Sequence, residues 1–560
     1  MIMMTEEKYN FVKYYERSFR NNWNLEAVTD YGTHVTLTYG QLATTIAKLH
    51  ILFEECGIQK DDKIAVMGKN NSNWVTVYLA AVTYGAIIVP ILQDFKANDA
   101  IHIVNHSESK LLFISDINWE GIDLEQIPDV MAVISLNDWH PISLTLDPKR
   151  INIQTINELF NSRYPQGYSA ADVRYDERSN DKIASINYTS GTTGFSKGVI
   201  MPLNGLAGNL RYAFETQLVY PGCRHVAFLP LAHAYGCAFD FLGCLAAGGH
   251  TWLIGRTPSP KILLKAFAEV KPTIILSVPL ILEKIYKKMI VPQIQKPPVS
   301  WVLKVPFLDE IVCAKIREQL VQAFGGEFKQ MIIGGAPLNP EVEAFLRRIK
   351  FPMSVGYGMT ECAPLISFTP YEESRIYSCG KPLAGIMDVK ILSPNADGIG
   401  EIVTKGENTM TGYYKNSKAT KESFTKDGWL RTGDLGLIDE DGFLYIKGRS
   451  KTMLLGPSGQ NIYPEEIEAK LNNMPYVLES LVLQHKDNRL VALVCPDYNE
   501  VDASGMTAEQ LVEQMEEARK QVNSELAAYE QIAIVKLYPN EFEKTPKKSI
   551  KRFLYTNMVD

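Results

Sequence analysis

Strand-length apolar segments alternate with helix-length segments along much of this 560-residue chain. The strand-like segment 63–67 precedes the helix-like segment 73–84, and the same rhythm returns near residues 273 and 330. There Asn339 and Pro340 form a good N-cap followed by a proline at the first helical position. Such alternation predicts parallel sheets with helices on their faces and ligands bound beyond the carboxyl ends of the strands.

A second, smaller domain is also expected. The chain is too long for a single core. From residue 388 short alternating segments and turns predict a small antiparallel region, and a strand-like segment, 443–447, precedes a stretch of α+β character. The predicted fold is therefore α/β. A large N-terminal domain, residues 1–449, contains parallel-rich sheets and the antiparallel β region, and a small α+β C-terminal domain spans residues 450–560.

Composition limits the function classes. A formal net charge of −7 gives no reason to expect nucleic acid as a partner. The eight cysteines are scattered without a Cys-x-x-Cys pair. This spacing argues against a zinc site or a disulfide framework and suits a reducing cytoplasm.

No membrane-spanning segment is predicted. The longest apolar run, 75–92, is interrupted by polar residues, glycine and proline, so a buried helix leading into a strand is expected. Val12, Tyr15 and Phe19 share one helical face beside basic residues. This face is compatible with a membrane surface, although packing on the domain is the favoured interpretation. The first thirty residues lack a signal-peptide core, so the expected location is the cytoplasm, either free or peripheral at the inner face of the membrane.

A loop rich in glycine and hydroxyl side chains follows the strand-like segment 182–187. Between Thr189 and Gly198 lie three glycines, five Ser or Thr residues and Lys197. Backbone N–H groups, hydroxyls and one cation after a strand are suited to phosphate. Ser196 and Gly198 do not match the usual phosphate-loop motif. A surface linker is the common alternative, but the lysine and the apolar flanks count against it.

Five further segments carry side chains or turns suited to a nucleotide and an acid. Each is weak evidence alone, because a single histidine is more often a core residue and glycine turns are common. Glycine lets a flat base approach the backbone, and a carboxylate can accept hydrogen bonds from both ribose hydroxyls. In chain order the segments are 229–236, 334–338, 356–361, 429–434 and 459–467.

Together and in this order, these segments resemble the signatures of the acyl-adenylate-forming (AMP-binding) enzymes, from about Leu37 to Leu554. The resemblance implies that an acid and ATP form an acyl-adenylate and pyrophosphate, and that a thiol, most commonly coenzyme A, then takes the acyl group. The expected cofactors are ATP, Mg²⁺ and coenzyme A. Because the substrate carboxylate is the nucleophile, the protein has to supply charge stabilisation and positioning.

The resemblance also implies a role for individual residues. The expected catalytic residues are Lys197, His233, Thr360, Glu361 and Lys548, and the expected metal ligands are Thr189 and Glu361. Tyr357 is expected to stack on adenine, with Asp434 and Arg449 at the ribose. The full set expected to bind the nucleotide is Thr189, Ser190, Gly191, Thr192, Thr193, Gly194, Lys197, Gly335, Ala336, Pro337, Gly356, Tyr357, Gly358, Met359, Thr360, Asp434 and Arg449.

The C-terminal motif departs from the family pattern. The family's last lysine, which neutralises the carboxylate and phosphate during adenylation, is replaced by Ser549. Lys548 is expected to take its role, with Lys547 as an alternative; a catalytically weakened relative is the other interpretation. Lys451 lies where the family rotates its mobile C-terminal domain. Segment 459–467 resembles the loop that enters the site for the second half-reaction.

Within the family, this sequence resembles the long-chain fatty acid ligases most. Segments 278–286 and 549–555 carry that resemblance. The expected substrate is therefore a medium- or long-chain fatty acid. The alternatives are transfer to an acyl carrier protein, activation of an aryl or short-chain acid, and a non-catalytic nucleotide- or acyl-binding protein. An amino acid is disfavoured because no segment supplies an acidic anchor for its amine. Peripheral membrane contact and a homodimer are compatible with this expectation.

Overall fold

The computed structural model describes residues 10–559 except 147–150, 190–196, 257–258, 298, 303–304, 306–307, 457–459 and 546–548. The chain divides into two compact units. Unit 1 contains the described residues up to 389 together with Thr404–Leu430. Unit 2 contains Lys390–Val403 and the described residues from 431 onward.

The strands of the described chain are short, and most belong to parallel or mixed sheets. In chain order they are β1 Glu26–Asp30, β2 Val35–Thr38, β3 Lys63–Met67, β4 Ile87–Ile91, β5 Ser109–Ile114, β6 Ala132–Ser135, β7 Pro141–Leu144, β8 Ile183–Thr189, β9 Lys197–Pro202, β10 Arg224–Ala227, β11 His250–Leu253, β12 Ile275–Ser277, β13 Met331–Ile333, β14 Met353–Val355, β15 Tyr357–Gly358, β16 Leu365–Phe368, β17 Lys381–Pro382, β18 Met387–Leu392, β19 Gly400–Gly406, β20 Gly412–Tyr413, β21 Leu430–Ile438, β22 Leu444–Arg449, β23 Leu454–Leu455, β24 Asn461–Ile462, β25 Val477–Gln484, β26 Leu490–Pro496 and β27 Ile532–Leu537.

The α-helices connect these strands and cover the sheets. They are α1 Phe11–Asn21, α2 Tyr39–Glu55, α3 Ser72–Tyr84, α4 Ala97–Ser107, α5 Asp116–Trp119, α6 Ile153–Arg163, α7 Leu203–Glu215, α8 Ala234–Gly236, α9 Cys244–Ala247, α10 Pro260–Val270, α11 Pro279–Ile285, α12 Val291–Ile294, α13 Val299–Val302, α14 Leu308–Ala323, α15 Pro340–Arg348, α16 Ser417–Ser423, α17 Pro464–Leu471, α18 Tyr498–Ser504 and α19 Ala508–Ser524.

The largest sheet of unit 1 has eight strands in the order β20-β9-β8-β4-β3-β5-β6-β7. Its central strands β8, β4, β3, β5 and β6 run parallel, and β9 returns antiparallel to β8. β3, β4 and β5 are almost fully buried apolar runs, as expected for strands covered on both faces. The apolar run 75–92 forms helix α3 and strand β4, which confirms its interpretation as core. No helix in the described part of the chain is long and apolar enough to cross a membrane.

Two smaller sheets complete the parallel part of unit 1. The sheet β10-β11-β1-β2 is parallel except at β2, and the sheet β12-β13-β14 is parallel throughout. Helix α1 buries Val12, Tyr15 and Phe19 completely. The expectation that this helix packs on its domain is therefore confirmed.

Unit 2 combines antiparallel strands with helices. β25 and β26 are antiparallel and β27 adds parallel to β26, while α17 and α19 pack on one shared apolar core with this sheet. The predicted antiparallel region is present, because β21 and β22 pair antiparallel in the sheet β18-β19-β21-β22. The strand predicted to end at Lys447 continues to Arg449, because Arg449 pairs in register with Asp434. The predicted α/β fold class is confirmed.

Candidate active site

Two adjacent strand ends build the glycine turns of the candidate site. β13 and β14 are parallel neighbours with Ile333 opposite Val355. The segment beginning at Gly334 follows β13, and the segment beginning at Gly356 follows β14. A backbone hydrogen bond of 2.9 Å from Gly356 N to Ile333 O joins the two exits. The turn 334–338, expected to bind the nucleotide, and the segment 356–361, which carries the tyrosine expected to stack on adenine, therefore leave the same edge of one sheet.

The first turn requires glycine and places an aromatic ring beside it. Gly335 has a φ of +88°, a conformation that favours glycine. A Cβ at Gly334 would lie 3.3 Å from the ring of Tyr235, whose hydroxyl donates to Ile332 O at 3.0 Å. Gly335, Ala336 and Pro337 are exposed. A planar group can therefore approach this backbone without meeting a side chain at Gly335.

The second segment combines a ring, a tight glycine and an acidic residue. Tyr357 and Thr360 are buried, and Glu361 is half-buried in the short 3-10 helix Thr360–Cys362. A Cβ at Gly358 would lie only 2.2 Å from Pro364 O, so no side chain fits there. The Pro364 backbone therefore packs directly against the turn that lies between Tyr357 and Glu361.

Tyr413 contacts both Lys197, the lysine expected to bind phosphate, and Glu361, the expected metal ligand. The Nζ of Lys197 lies 4.9 Å from the centroid of the Tyr413 ring. The Tyr413 hydroxyl donates to Oε1 of Glu361 at 2.9 Å. Burial and the neighbouring carboxylate raise the pKa of Tyr413, so its hydroxyl stays protonated and able to donate. No sequence motif singled out Tyr413, whose position depends on the pairing of β20 with β9.

Thr189, at the start of the glycine-rich loop, lies next to Lys197. Thr189 pairs in register with Lys197 across β8 and β9, and its hydroxyl donates to Lys197 O at 3.5 Å. Hydroxyl and carboxylate oxygens, such as those of Thr189 and Glu361, are the donor types that Mg²⁺ prefers. The donor chemistry present here therefore fits Mg²⁺.

An apolar cavity of about 60 Å³ lies at these strand ends. His233 lines it and caps helix α8, with its Nδ1 3.5 Å from Tyr235 N. No charged side chain is among the described residues that line the cavity. They are Leu218, His233, Tyr235, Phe239, Leu276, Ile332, Ile333, Gly334, Gly335, Gly356, Tyr357, Gly358, Met359, Thr360, Pro364, Leu365 and Phe368.

The expected ribose residues form an ion pair within unit 2. Asp434 and Arg449 face each other across β21 and β22, with Nε of Arg449 3.1 Å from Oδ1 of Asp434. The Asp434 side chain is 8% exposed and the Arg449 side chain is 70% exposed. The arginine can therefore turn to another anion without uncovering buried apolar surface.

Several expected site residues lie outside the described residues. They are Ser190, Gly191, Thr192, Thr193, Gly194 and Lys548. Backbone interactions join the described residues on the two sides of Lys548. Lys544 pairs with Ile550 in a β-bridge, and Thr545 N donates to Ser549 O at 2.8 Å.

The comparisons with known proteins agree with this geometry. The model described as "AMP-binding enzyme" matches residues 15–414, and the model of the AMP-binding enzyme C-terminal domain matches residues 452–558. This chain belongs to the AMP-binding enzyme family. The family's CoA ligases use ATP, Mg²⁺ and coenzyme A to activate small carboxylic acids.

One curated relative is the long-chain-fatty-acid–CoA ligase FadD15 of Mycobacterium bovis. It is 27% identical over 93% of this chain and 90% of its own length. Among solved structures, ATP-bound MatB of Rhodopseudomonas palustris is similar with a TM-score of 0.76 and 22% identity, covering 98% of this chain and 100% of its own. The o-succinylbenzoate CoA synthetase MenE of Bacillus subtilis has a TM-score of 0.72 and 21% identity, covering 97% of each chain. These likenesses confirm the predicted fold.

Proposed function

We propose that this protein is an AMP-forming fatty acid–CoA ligase that acts on medium- or long-chain acids. The observation that carries the choice of substrate class is the uncharged lining of the cavity on the side away from the expected nucleotide residues, formed by Leu218, Phe239 and Leu276. An amino acid would bring an ammonium, and a dicarboxylic acid a second carboxylate, into a cavity where no described lining side chain offers the opposite charge. A buried charge without a partner is strongly unfavourable, whereas an alkyl chain gains from burial among Leu218, Phe239 and Leu276. The similarity to FadD15 supports the same class.

The cavity has to enlarge before a long chain can enter. Its volume of about 60 Å³ is far below the roughly 300–1,000 Å³ of a typical ligand pocket. Tyr235 and Phe239 stand on successive turns of one helical segment and both line the cavity. We infer that movement of these rings, together with His233, admits the acyl chain.

In the first half-reaction, an oxygen of the substrate carboxylate attacks the α-phosphorus of ATP. The bond from that phosphorus to the bridging oxygen breaks, and its electron pair leaves with pyrophosphate. We propose that Lys197 donates to the phosphate oxygens and that Thr360 contacts the α-phosphate. Thr189 and Glu361 would hold Mg²⁺, which supplies charge compensation on the triphosphate. Tyr413 orients the Glu361 carboxylate through its hydroxyl.

In the second half-reaction, the thiolate sulfur of coenzyme A attacks the acyl carbon, and AMP leaves with the electron pair of the broken carbon–oxygen bond. We propose that residues 450–560 act as a mobile C-terminal domain that turns near Lys451, presenting Lys548 for adenylation and segment 459–467 for thioester formation. Substitution Lys451→Pro restricts φ to about −65°. It should preserve acyl-adenylate formation better than thioester formation; an equal loss of both, in a folded variant, would contradict rotation at this residue.

A substrate panel tests the proposal. Laurate, palmitate, benzoate, acetate and phenylalanine are each supplied with ATP and Mg²⁺, and pyrophosphate release and thioester product are measured with coenzyme A or with a phosphopantetheinylated carrier protein. We expect the highest kcat/KM with laurate or palmitate and coenzyme A. Preference for benzoate or acetate would assign the aryl or short-chain class instead. Preference for the carrier protein would assign an acyl–carrier ligase, and no turnover with any acid would favour a non-catalytic relative.

A further inference from the structure

A second cluster of reactive side chains lies in the core of unit 1. Cys223 precedes strand β10 and His225 lies on it; Asp240 lies on the π-helix Cys237–Gly243, and Cys244 begins helix α9. All four side chains are at most 1% exposed. None of the four lines the candidate active site. The two cysteines are 21 positions apart, so their sequence spacing gave no sign that they meet.

The donor atoms of this cluster are close enough for one ion. The sulfurs of Cys223 and Cys244 are 3.7 Å apart. One ligand atom each from Cys223, His225 and Cys244 lies within 4.8 Å of the other two. Two thiolates bound to one tetrahedral Zn²⁺ at about 2.3 Å are separated by about 3.8 Å. The observed sulfur–sulfur distance therefore matches a shared zinc ion.

Polar atoms in the cluster lack partners that such buried groups normally have. Nε2 of His225 and Oδ2 of Asp240 have no hydrogen-bond partner among the described residues. Unpartnered buried polar atoms are rare and call for an explanation. Nδ1 of His225 lies 3.5 Å from Oδ1 of Asp240, which leaves Nε2 available to a metal. A carboxylate behind a metal-binding histidine fixes its tautomer and orientation.

The backbone is shaped around the two sulfurs. A Cβ at Gly249 would lie 2.5 Å from Sγ of Cys223 and 2.6 Å from Sγ of Cys244. Only glycine can occupy this position while both thiols point toward it. The carbonyl of Cys223 lies 3.9 Å from Sγ of Cys244 and offers an oxygen beside the pair for a fourth position.

We propose that Cys223, Cys244 and His225 bind one Zn²⁺ ion and that Asp240 orients the imidazole. Two soft thiolates and a neutral imidazole are ligands that zinc prefers. Binding forms two zinc–sulfur bonds and releases the two thiol protons. The ion links strand β10 to the helical segment that carries Phe239, a residue lining the cavity. The site is therefore structural, and it supports the acyl side of the candidate active site without taking part in catalysis.

Metal analysis of the full chain tests this proposal. The protein is purified under reducing conditions without chelator, incubated with Zn²⁺, desalted and measured by elemental mass spectrometry. We expect one zinc ion per chain. Reconstitution with Co²⁺ should give thiolate-to-cobalt charge-transfer absorption and the visible bands of a tetrahedral site. Both readouts use the unaltered protein, so they do not depend on whether a variant folds.

Variants assign the ligands. Cys244→Ser and His225→Gln should lose most of the bound zinc and the charge-transfer absorption. The control Cys56→Ser removes a similarly buried thiol elsewhere in unit 1 and should bind zinc normally. Absence of zinc and of cobalt absorption in the unaltered protein would overturn the proposal, as would full zinc content in both ligand variants. A Cys223–Cys244 disulfide in the purified protein, with no metal uptake after its reduction, would also overturn it.

Discussion

Tyr413 donates a hydrogen bond of 2.9 Å to the carboxylate of Glu361, across 52 positions of sequence. The ring that carries this hydroxyl also lies beneath the ammonium of Lys197. One tyrosine thus contacts the cation expected to hold phosphate and the anion expected to hold Mg²⁺.

Substitution Tyr413→Phe should slow adenylation about tenfold or more. A hydrogen bond to a charged group contributes about 1.5–3 kcal/mol, or roughly 10–100-fold in rate. Phenylalanine keeps the aromatic ring that the Lys197 ammonium contacts. Pyrophosphate release at saturating Mg²⁺ measures the effect. Tyr414→Phe is the matched control, because that hydroxyl bonds the exposed Glu108; equal rates in both variants would remove Tyr413 from the site.

Substitution Glu361→Gln should lower adenylation by about 100-fold or more, since loss of a metal ligand's charge costs several kcal/mol of transition-state stabilisation. The amide oxygen can still accept from Tyr413, so folding should be preserved. Single-turnover formation of acyl-adenylate is the measurement. A wild-type rate at saturating Mg²⁺ would show that this carboxylate does not hold the metal.

Substitution Lys197→Ala should weaken the use of ATP more than the use of the acid. A charge-assisted bond to phosphate is worth about 1.5–3 kcal/mol. Steady-state kinetics with ATP and acid varied separately distinguish the two. Lys415→Ala is a matched control, because Lys415 lies over the ring of Tyr414 and pairs with Glu108. A defect confined to the acid would contradict a phosphate role for Lys197.

Substitution Gly358→Ala should destabilise the protein by about 1–3 kcal/mol, the usual range for overpacking. The new methyl group would meet Pro364 O at 2.2 Å. Gly356→Ala is the control two positions away, where the nearest atom would be 3.4 Å from the Cβ. Denaturant unfolding and adenylation are measured for both variants. Similar losses in the two variants would mean that the close approach to Pro364 is not the cause.

Substitution Lys548→Ala should reduce adenylation steeply but spare thioester formation from supplied acyl-adenylate. Lys551→Ala is the control for general loss of positive charge, since Lys551 is paired with Glu543 at 2.5 Å. Restoring the family pattern with Ser549→Lys should raise the rate only slightly if Lys548 already compensates. A large gain from Ser549→Lys would indicate a naturally weakened site, and no change in any of the three variants would exclude this loop from catalysis.

Local signals in the sequence predicted local structure well. Asn339 caps helix α15, as expected from neighbouring residues alone. The glycine turns 334–338 and 356–361 were also predictable from local sequence. Their place at strand ends fits the rule that parallel sheets bind ligands beyond the carboxyl ends of their strands.

Relationships across long stretches of sequence were not predictable in this way. Tyr413 reaches Glu361 and Lys197 only because β20 pairs with β9, and no pattern around Tyr413 indicates that pairing. Likewise, spacing argued against a metal site, yet the pairing of β10 with β11 and the adjoining π-helix bring Cys223, His225 and Cys244 together. Single-chain periodicity identifies elements, whereas tertiary packing decides which of them meet.

Because β20 pairs with β9, strand β9 is synthesised long before its partner strand. A chain leaving the ribosome contains β8 and β9 once residue 202 has emerged, but the partner of Val199 and Ile200 arrives only with residues 412 and 413. Throughout that interval the outer edge of β9 presents unpaired backbone groups, the kind of edge that recruits wrong partners.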